Sequence, residues 1–250
     1  MTGTVHVETI SAGVLRLTID SPPMNALGVD MRATFMGVLD QVEADDSVRA
    51  IVVTGRGRAF CAGDDLKDAR PQAHDLAGFG HLLERLDATR APVIAAVNGW
   101  CIGGGFELAL CCDLRIASSE ARFVCAGVNM GLMASAYRLP RLIGVSRAKA
   151  MLLTGLPHDA ETAERFGLVT AVHAPDALDA AALALAERIA SRAPLSVEAT
   201  KRIANRASDM SPEEAAPIQA EILSKLRRSN DHKAAVEAFR EKRDPTFTRS

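Results

Sequence analysis

Two short apolar runs, each leading straight into glycines, constrain this chain more than any other feature. Ala50-Ile51-Val52-Val53-Thr54 enters a glycine-rich loop from Gly55 to Gly63, and Val93-Ile94-Ala95-Ala96-Val97 enters Asn98-Gly99 and then Gly103-Gly104-Gly105. Both runs read as short buried strands. Amphipathic helices accompany them. Met31, Phe35, Val38, Leu39 and Val42 recur at helical spacing from about Val29 to Val42, and Leu76, Phe79, Leu82, Leu83 and Leu86 mark a second helix. The first part of the chain is therefore expected to be a repeating strand–helix layer of the α/β class.

Val5-His6-Val7 and Val14 to Ile19 read as strands with Gly13 in the turn between them, and Pro22-Pro23 stops that sheet. Phe106 to Leu110 has a helical pattern, while Leu114 to Ala117 and Phe123-Val124 look like strands. Beyond Gly144 the pattern turns helical, over residues 148–153, 177–191, 196–207, 212–227 and 231–240, with breaks at Pro157, Pro194 and Pro212. No internal repeat, low-complexity segment or clear linker divides the two parts.

A net charge of -2 over 250 residues is a poor electrostatic footprint for a nucleic-acid binder, so any anionic ligand must be held by local groups. Cys61, Cys101, Cys111, Cys112 and Cys125 are odd in number and match no zinc spacing, which makes them small buried hydrophobes of a reducing compartment. MTGTVHVETI has no signal-peptide character, and no apolar run approaches the roughly 20 residues that span a bilayer. The expectation is a soluble, cytoplasmic protein.

Glycine loops after buried strands are the usual place for phosphate motifs. Gly55-x-Gly57-x-x-Phe60 lacks the third glycine of a dinucleotide fingerprint, and Gly99-x-x-x-x-Gly104 is followed by Gly105 where a P-loop has lysine. What remains is two strand-to-glycine turns able to present backbone N–H groups. Gly103-Gly104-Gly105 opens the helix that carries Glu107, so its free N–H groups and positive dipole end face any ligand there. A second N–H from Cys61-Ala62-Gly63-Asp64 would complete a two-donor oxyanion hole, each donor worth about 100- to 1000-fold in rate. The competing reading is that the triplet only permits close helix–strand packing. Glu107 lies three residues after Gly104 and ahead of an apolar run, as a desolvated acid/base carboxylate would. It is equally placed to favour the helix dipole without any catalysis.

Other polar residues read as background. His74 and His81 are expected to face solvent, Asp64-Asp65 is a weak metal pair, and Ser135 and Tyr137 are packing or loop residues rather than nucleophiles. Lys242-Arg243 belongs to a mixed-charge C-terminal helix.

Ala59-Phe60-Cys61-Ala62-Gly63-Asp64-Asp65-Leu66-Lys67 resembles the first signature of the enoyl-CoA hydratase/isomerase (crotonase) family. Pro92 to Gly99, running on through Gly103-Gly104-Gly105-Phe106-Glu107-Leu108-Ala109 to Cys112-Asp113, resembles its second. Leu153-Thr154-Gly155, Ala163 to Val169 and Phe239-Arg240-Glu241-Lys242-Arg243 are similar to its later segments. The resemblance implies a spiral of β-β-α units over residues 1–190 and a helical oligomerisation region over 191–250, assembled as a homotrimer or hexamer. It implies a coenzyme A thioester, part of the substrate rather than a cofactor, with its carbonyl held by the N–H groups of Asp64 and Gly104. Ala62, Asp65, Leu66, Lys67 and Gly103 would line the substrate and CoA site, with Lys242 and Arg243 on CoA phosphate; no metal, nucleic acid or membrane is implied.

Family hydratases use two glutamates, one in the triple-glycine helix and one twenty residues later. Glu107 matches the first, but the second position is Gly127, and the usual Pro-x-x-Gly-Gly stretch is shortened to Leu132-Met133-Ala134-Ser135-Ala136-Tyr137. Loss of one acid/base group costs a water addition roughly 100- to 10,000-fold. Hydratase, isomerase-only, decarboxylase and hydrolase chemistry stay open, as does a non-catalytic acyl-CoA-binding or assembly protein. RNA binding, known in one branch of the family, is disfavoured by the acidic charge balance.

Overall fold

The computed structural model describes residues 3–68 and 76–250; His74 and the start of its segment lie outside them. The chain opens with an antiparallel hairpin, β1 (Thr4–Ser11) and β2 (Val14–Asp20), followed by helix α1 (Val29–Ala44). Three turns of a spiral follow, each with a longer strand and then a very short one. They are β3 (Ala50–Gly55) with β4 (Ala59–Cys61), β5 (Val93–Val97) with β6 (Trp100–Ile102), and β7 (Leu114–Ser118) with β8 (Arg122–Val124). Helix α2 (Leu76–Ala88) closes the first turn and α3 (Gly104–Leu110) the second.

The longer strands stack in parallel in one six-stranded sheet, β1-β2-β3-β5-β7-β10, where β10 is Val172–His173. The short ones form a second sheet, β4-β6-β8-β9, with β9 (Pro157–Asp159) antiparallel at its edge. This is the expected spiral of β-β-α units.

The first sheet shows why β3 and β5 lack alternation. Ile51, Val53, Val93, Ala95 and Val97 face the main core, together with Phe35, Leu39, Leu82 and Leu86 of α1 and α2. Their neighbours Ala50, Val52, Ile94 and Ala96 face a second core roofed by Leu178, Ala182 and Ala186 of α7 (Leu178–Ala190). A strand covered on both faces carries apolar residues at every position.

Several elements depart from the sequence reading. The glycine-rich loop Gly55 to Gly63 contains β4, and β6, β9 and β10 were also unmarked. Helices α4 (Arg138–Ile143) and α6 (Ala160–Phe166) flank the recognised α5 (Val145–Thr154). These pieces are two to seven residues long, so hydrophobic periodicity has nothing to act on. Pro157 stands in β9. Pro194 and Pro212 occupy first positions of α8 (Pro194–Ala204) and α9 (Pro212–Arg228), where the missing N–H costs nothing. Helix α10 (Asn230–Glu241) packs on α9. Among the described residues, no helix is long and apolar enough to cross a membrane.

Arg115 on β7 is buried and ties the second turn to the third. Its guanidinium donates to the carbonyls of Ala109 (3.2 Å) and Cys112 (2.6 Å) at the end of α3, and of Leu168 (2.8 Å). Arg115→Met removes the guanidinium donor from the Cys112 and Leu168 carbonyls, at about 1 kcal/mol or more each, while Ala109 keeps a backbone donor in Cys112 N. The urea midpoint is expected to fall by an amount equivalent to about 2 kcal/mol; an unchanged midpoint contradicts this role.

Candidate active site

The two glycine bends lie against each other. Gly63 has φ +88°, and a Cβ built on it would sit 2.6 Å from Gly104 N and 2.8 Å from Gly104 Cα. Gly104 in turn abuts Gly63 and the ring of Phe79, so neither bend tolerates a side chain without moving the other. The three glycines of the triplet differ in what their positions require. Gly105 serves close packing, because a Cβ there would lie 2.1 Å from the Cys61 carbonyl oxygen. Gly103 has room for a Cβ but adopts φ +53°, and its residue forms the N-cap of α3. Gly104 then begins the helix, where the geometry supplies no intrahelical acceptor for the first N–H groups.

The first bend is clamped from outside. Leu27 N donates to the Gly63 carbonyl at 2.7 Å and pairs with Asp64 as an isolated bridge. The Asp64 carboxylate lies 3.5 Å from the buried Arg32 guanidinium of α1, leaving its main chain to the bend. Asp65 builds the next turn, its carboxylate accepting from Lys67 N (3.0 Å) and its carbonyl from Asp68 N (3.0 Å). The adjacent aspartates therefore point to separate tasks, and no metal-ligand cluster of three or more His, Cys, Asp or Glu occurs among the described residues. Ala62 is half-buried, while Leu66 and Lys67 project to solvent.

Glu107 follows on α3, half-buried between the buried Phe106 and Leu108. Its carboxylate accepts a hydrogen bond from the backbone N–H of Ser135. Sequence reasoning took Ser135 for a packing or loop residue. It is buried with φ +59°, and it reaches Glu107 through its main chain, a contact no side-chain pattern announces. Tyr137 is exposed, with Arg141 stacked over its ring at 4.8 Å. Gly127 sits beneath the same segment, the Leu132 carbonyl and Ala134 N each 3.0 Å from where its Cβ would be.

All five cysteines are buried and free. Burial pushes the Cys125 thiol up to about 12, with the nearby Glu107 charge adding to the effect, and holds Cys61 and Cys111 at about 12 as well. Burial likewise raises Cys101 and Cys112. A raised thiol stays protonated and unreactive at pH 8. Iodoacetamide at pH 8 is therefore expected to modify none of the five in the native protein and all five in guanidinium chloride. Native-state labelling of Cys125, read by mass spectrometry, contradicts this.

The remaining residues singled out from sequence are more remote. His81 is exposed on α2. Lys242 is exposed and caps α10 in the left-handed conformation at φ +56°. Among the described residues, Arg243 pairs with Glu241 (2.5 Å) and Glu237 (3.8 Å), and no ion pair joins it to Ala62–Lys67. A cleft of about 600 Å³ on the hairpin side is lined by Arg16, Thr54 and Arg56 among others, but by neither glycine triplet nor Glu107. Its arginines are already paired, Arg16 with Glu8 and Asp179, and Arg56 with Asp20.

Two contacting glycine bends thus meet at the start of a short helix, with the Glu107 carboxylate one turn on. The enoyl-CoA hydratase/isomerase family profile matches residues 9–250. The chain belongs to the enoyl-CoA hydratase/isomerase family and is an enzyme of that type. It is 38% identical to the (E)-benzylidenesuccinyl-CoA hydratase of Thauera aromatica, over 95% of this chain and 96% of that one. Against the short-chain-enoyl-CoA hydratase of Clostridium acetobutylicum the identity is 37%, over 91% of each. A crystal structure of an enoyl-CoA hydratase from Bacillus anthracis superposes with a TM-score of 0.94 at 29% identity, over 98% of this chain and 99% of that chain.

Proposed function

We propose that this enzyme adds water to the double bond of an enoyl-CoA thioester, using Glu107 as its single acid/base group. The observation that supports the reading is the contact of Gly63 with Gly104, which sets the bend leading into Asp64 against the start of the helix that carries Glu107. Addition at the β-carbon, or removal of an α-proton, sends an electron pair to the thioester oxygen. Two N–H dipoles fixed in advance stabilise that oxyanion with little reorganisation.

One carboxylate suffices for the proton balance. Glu107 accepts a proton from water as the water oxygen bonds to the β-carbon, and the enolate forms. The same carboxyl then returns that proton to the α-carbon, giving the 3-hydroxyacyl thioester. The identical cycle without water moves a proton from the α- to the γ-carbon of a 3-enoyl thioester, so isomerisation uses the same groups. The hydratase names of the relatives favour water addition.

In this reading Ala62, Gly103, Asp65, Leu66 and Lys67 line the thioester and nucleotide path, and Lys242 and Arg243 reach CoA phosphate. Residues 191–250 serve assembly into trimers or hexamers in the cytoplasm, as the resemblance implies; exposed apolar side chains there, at Leu223, Val236 and Phe239, support a covered surface. A second reading, a binder that has lost its chemistry, is favoured by Gly127 alone. Wild type is compared on crotonyl-CoA and 3-hexenoyl-CoA, with α-proton exchange followed in heavy water. Loss of the conjugated enoyl absorbance supports the hydratase reading. Turnover of 3-hexenoyl-CoA only makes it an isomerase, and binding with no turnover and no exchange overturns both.

A further inference from the structure

The rebuilt segment after Gly127 is shaped around two residues. Gly127 has φ −51°, an ordinary value, so its conformation does not require glycine. Its surroundings leave little slack. A Cβ there would press on the Leu132 carbonyl oxygen and Ala134 N at 3.0 Å and on Ala134 Cβ at 3.3 Å. The same turn is closed by Leu132 N donating to the Gly127 carbonyl at 2.8 Å. The chain then enters Ser135, buried and at φ +59°, a region that residues other than glycine seldom occupy. That conformation aims its N–H at the Glu107 carboxylate, while its carbonyl accepts from Leu139 N at 3.1 Å and starts α4. Unusual backbone at a buried position against an acid/base group is the kind of local strain that functional sites retain.

We propose that Ser135 is a positioning residue for Glu107, and that the turn over residues 131–135 takes the room a second carboxylate would need. The backbone N–H of Ser135 fixes the orientation of the one carboxylate left. This rests on the reading of Glu107 as the acid/base group. It assigns to Ser135 its amide and its left-handed conformation, not its hydroxyl.

The test is a variant series assayed on crotonyl-CoA, with Glu107→Gln alongside to define the floor. Ser135→Gly keeps both the N–H and the conformation, and is expected to hold kcat within about threefold. Ser135→Val opposes positive φ through its β-branch and is expected to lower kcat at least tenfold. Ser135→Pro removes the N–H and is expected to lower it about 100-fold, within the range of a general acid/base contribution. KM stays within about threefold throughout, because substrate binding is not the function assigned. If thermal melting shows Ser135→Pro unfolded, the glycine and valine variants decide alone.

A loss in Ser135→Gly as large as in Ser135→Val overturns the proposal, as does wild-type kcat in a folded Ser135→Pro. Wild-type activity in Glu107→Gln instead overturns the acid/base reading beneath it. Gly127→Glu is expected to push the turn outward and lower kcat; a raised kcat also overturns the proposal.

Discussion

Glu107→Gln is expected to lower kcat on crotonyl-CoA by about 100- to 10,000-fold, with the melting temperature nearly unchanged. Glutamine keeps the size of the side chain and an oxygen that still accepts from Ser135 N–H, so the geometry survives. What it loses is the ability to carry a proton. The alternative role for a first-turn glutamate is favourable interaction with the helix dipole, typically about 0.3–1 kcal/mol at an exposed site. A dipole role predicts a small loss of stability and full activity; a proton-transfer role predicts the reverse. Steady-state kinetics and thermal melting on the same preparation separate the two.

Gly63→Ala is expected to lower kcat/KM about 100- to 1000-fold, the usual cost of losing an oxyanion donor. The methyl would sit 2.6 Å from Gly104 N, on backbone that no side-chain rotation can relieve. The bends must part, and the two N–H groups part with them. The residue also needs φ +88°, which costs an L side chain roughly 1–2 kcal/mol. Gly167→Ala separates the two effects. Gly167 has φ +82° and nothing within 4 Å of its missing Cβ, so it meets the conformational cost alone. It is expected to lose a few degrees of melting temperature and no activity. Equal kinetic loss in both variants would mean that the contact of the bends is irrelevant.

Much of this architecture is legible in the chain because its strands are covered on both faces. β3 and β5 announce themselves as unbroken apolar runs, and α1 and α2 by their spacing. The second sheet does so only at β8, through Phe123-Val124, since β4 and β6 have three residues each and pair only through the spiral's return. Arg115 and Arg32 are similarly silent, buried cations that reach the Leu168 carbonyl and the Asp64 carboxylate of distant segments. The glycine triplet is visible, but its division of labour is not: Gly103 for torsion, Gly104 for contact with Gly63, Gly105 for packing on Cys61. Glu107 is readable from its place after the triplet. Ser135 is not, because it acts through a main-chain amide that any residue carries.

The central claim is that two main-chain N–H groups polarise one thioester carbonyl, and infrared difference spectroscopy reads that bond directly. With butyryl-CoA carrying ¹³C at its thioester carbon, the carbonyl stretch is expected to move to lower wavenumber on binding to wild type and to remain near its aqueous position in Gly63→Ala. A bound carbonyl with an unshifted stretch in the wild-type enzyme would contradict the account.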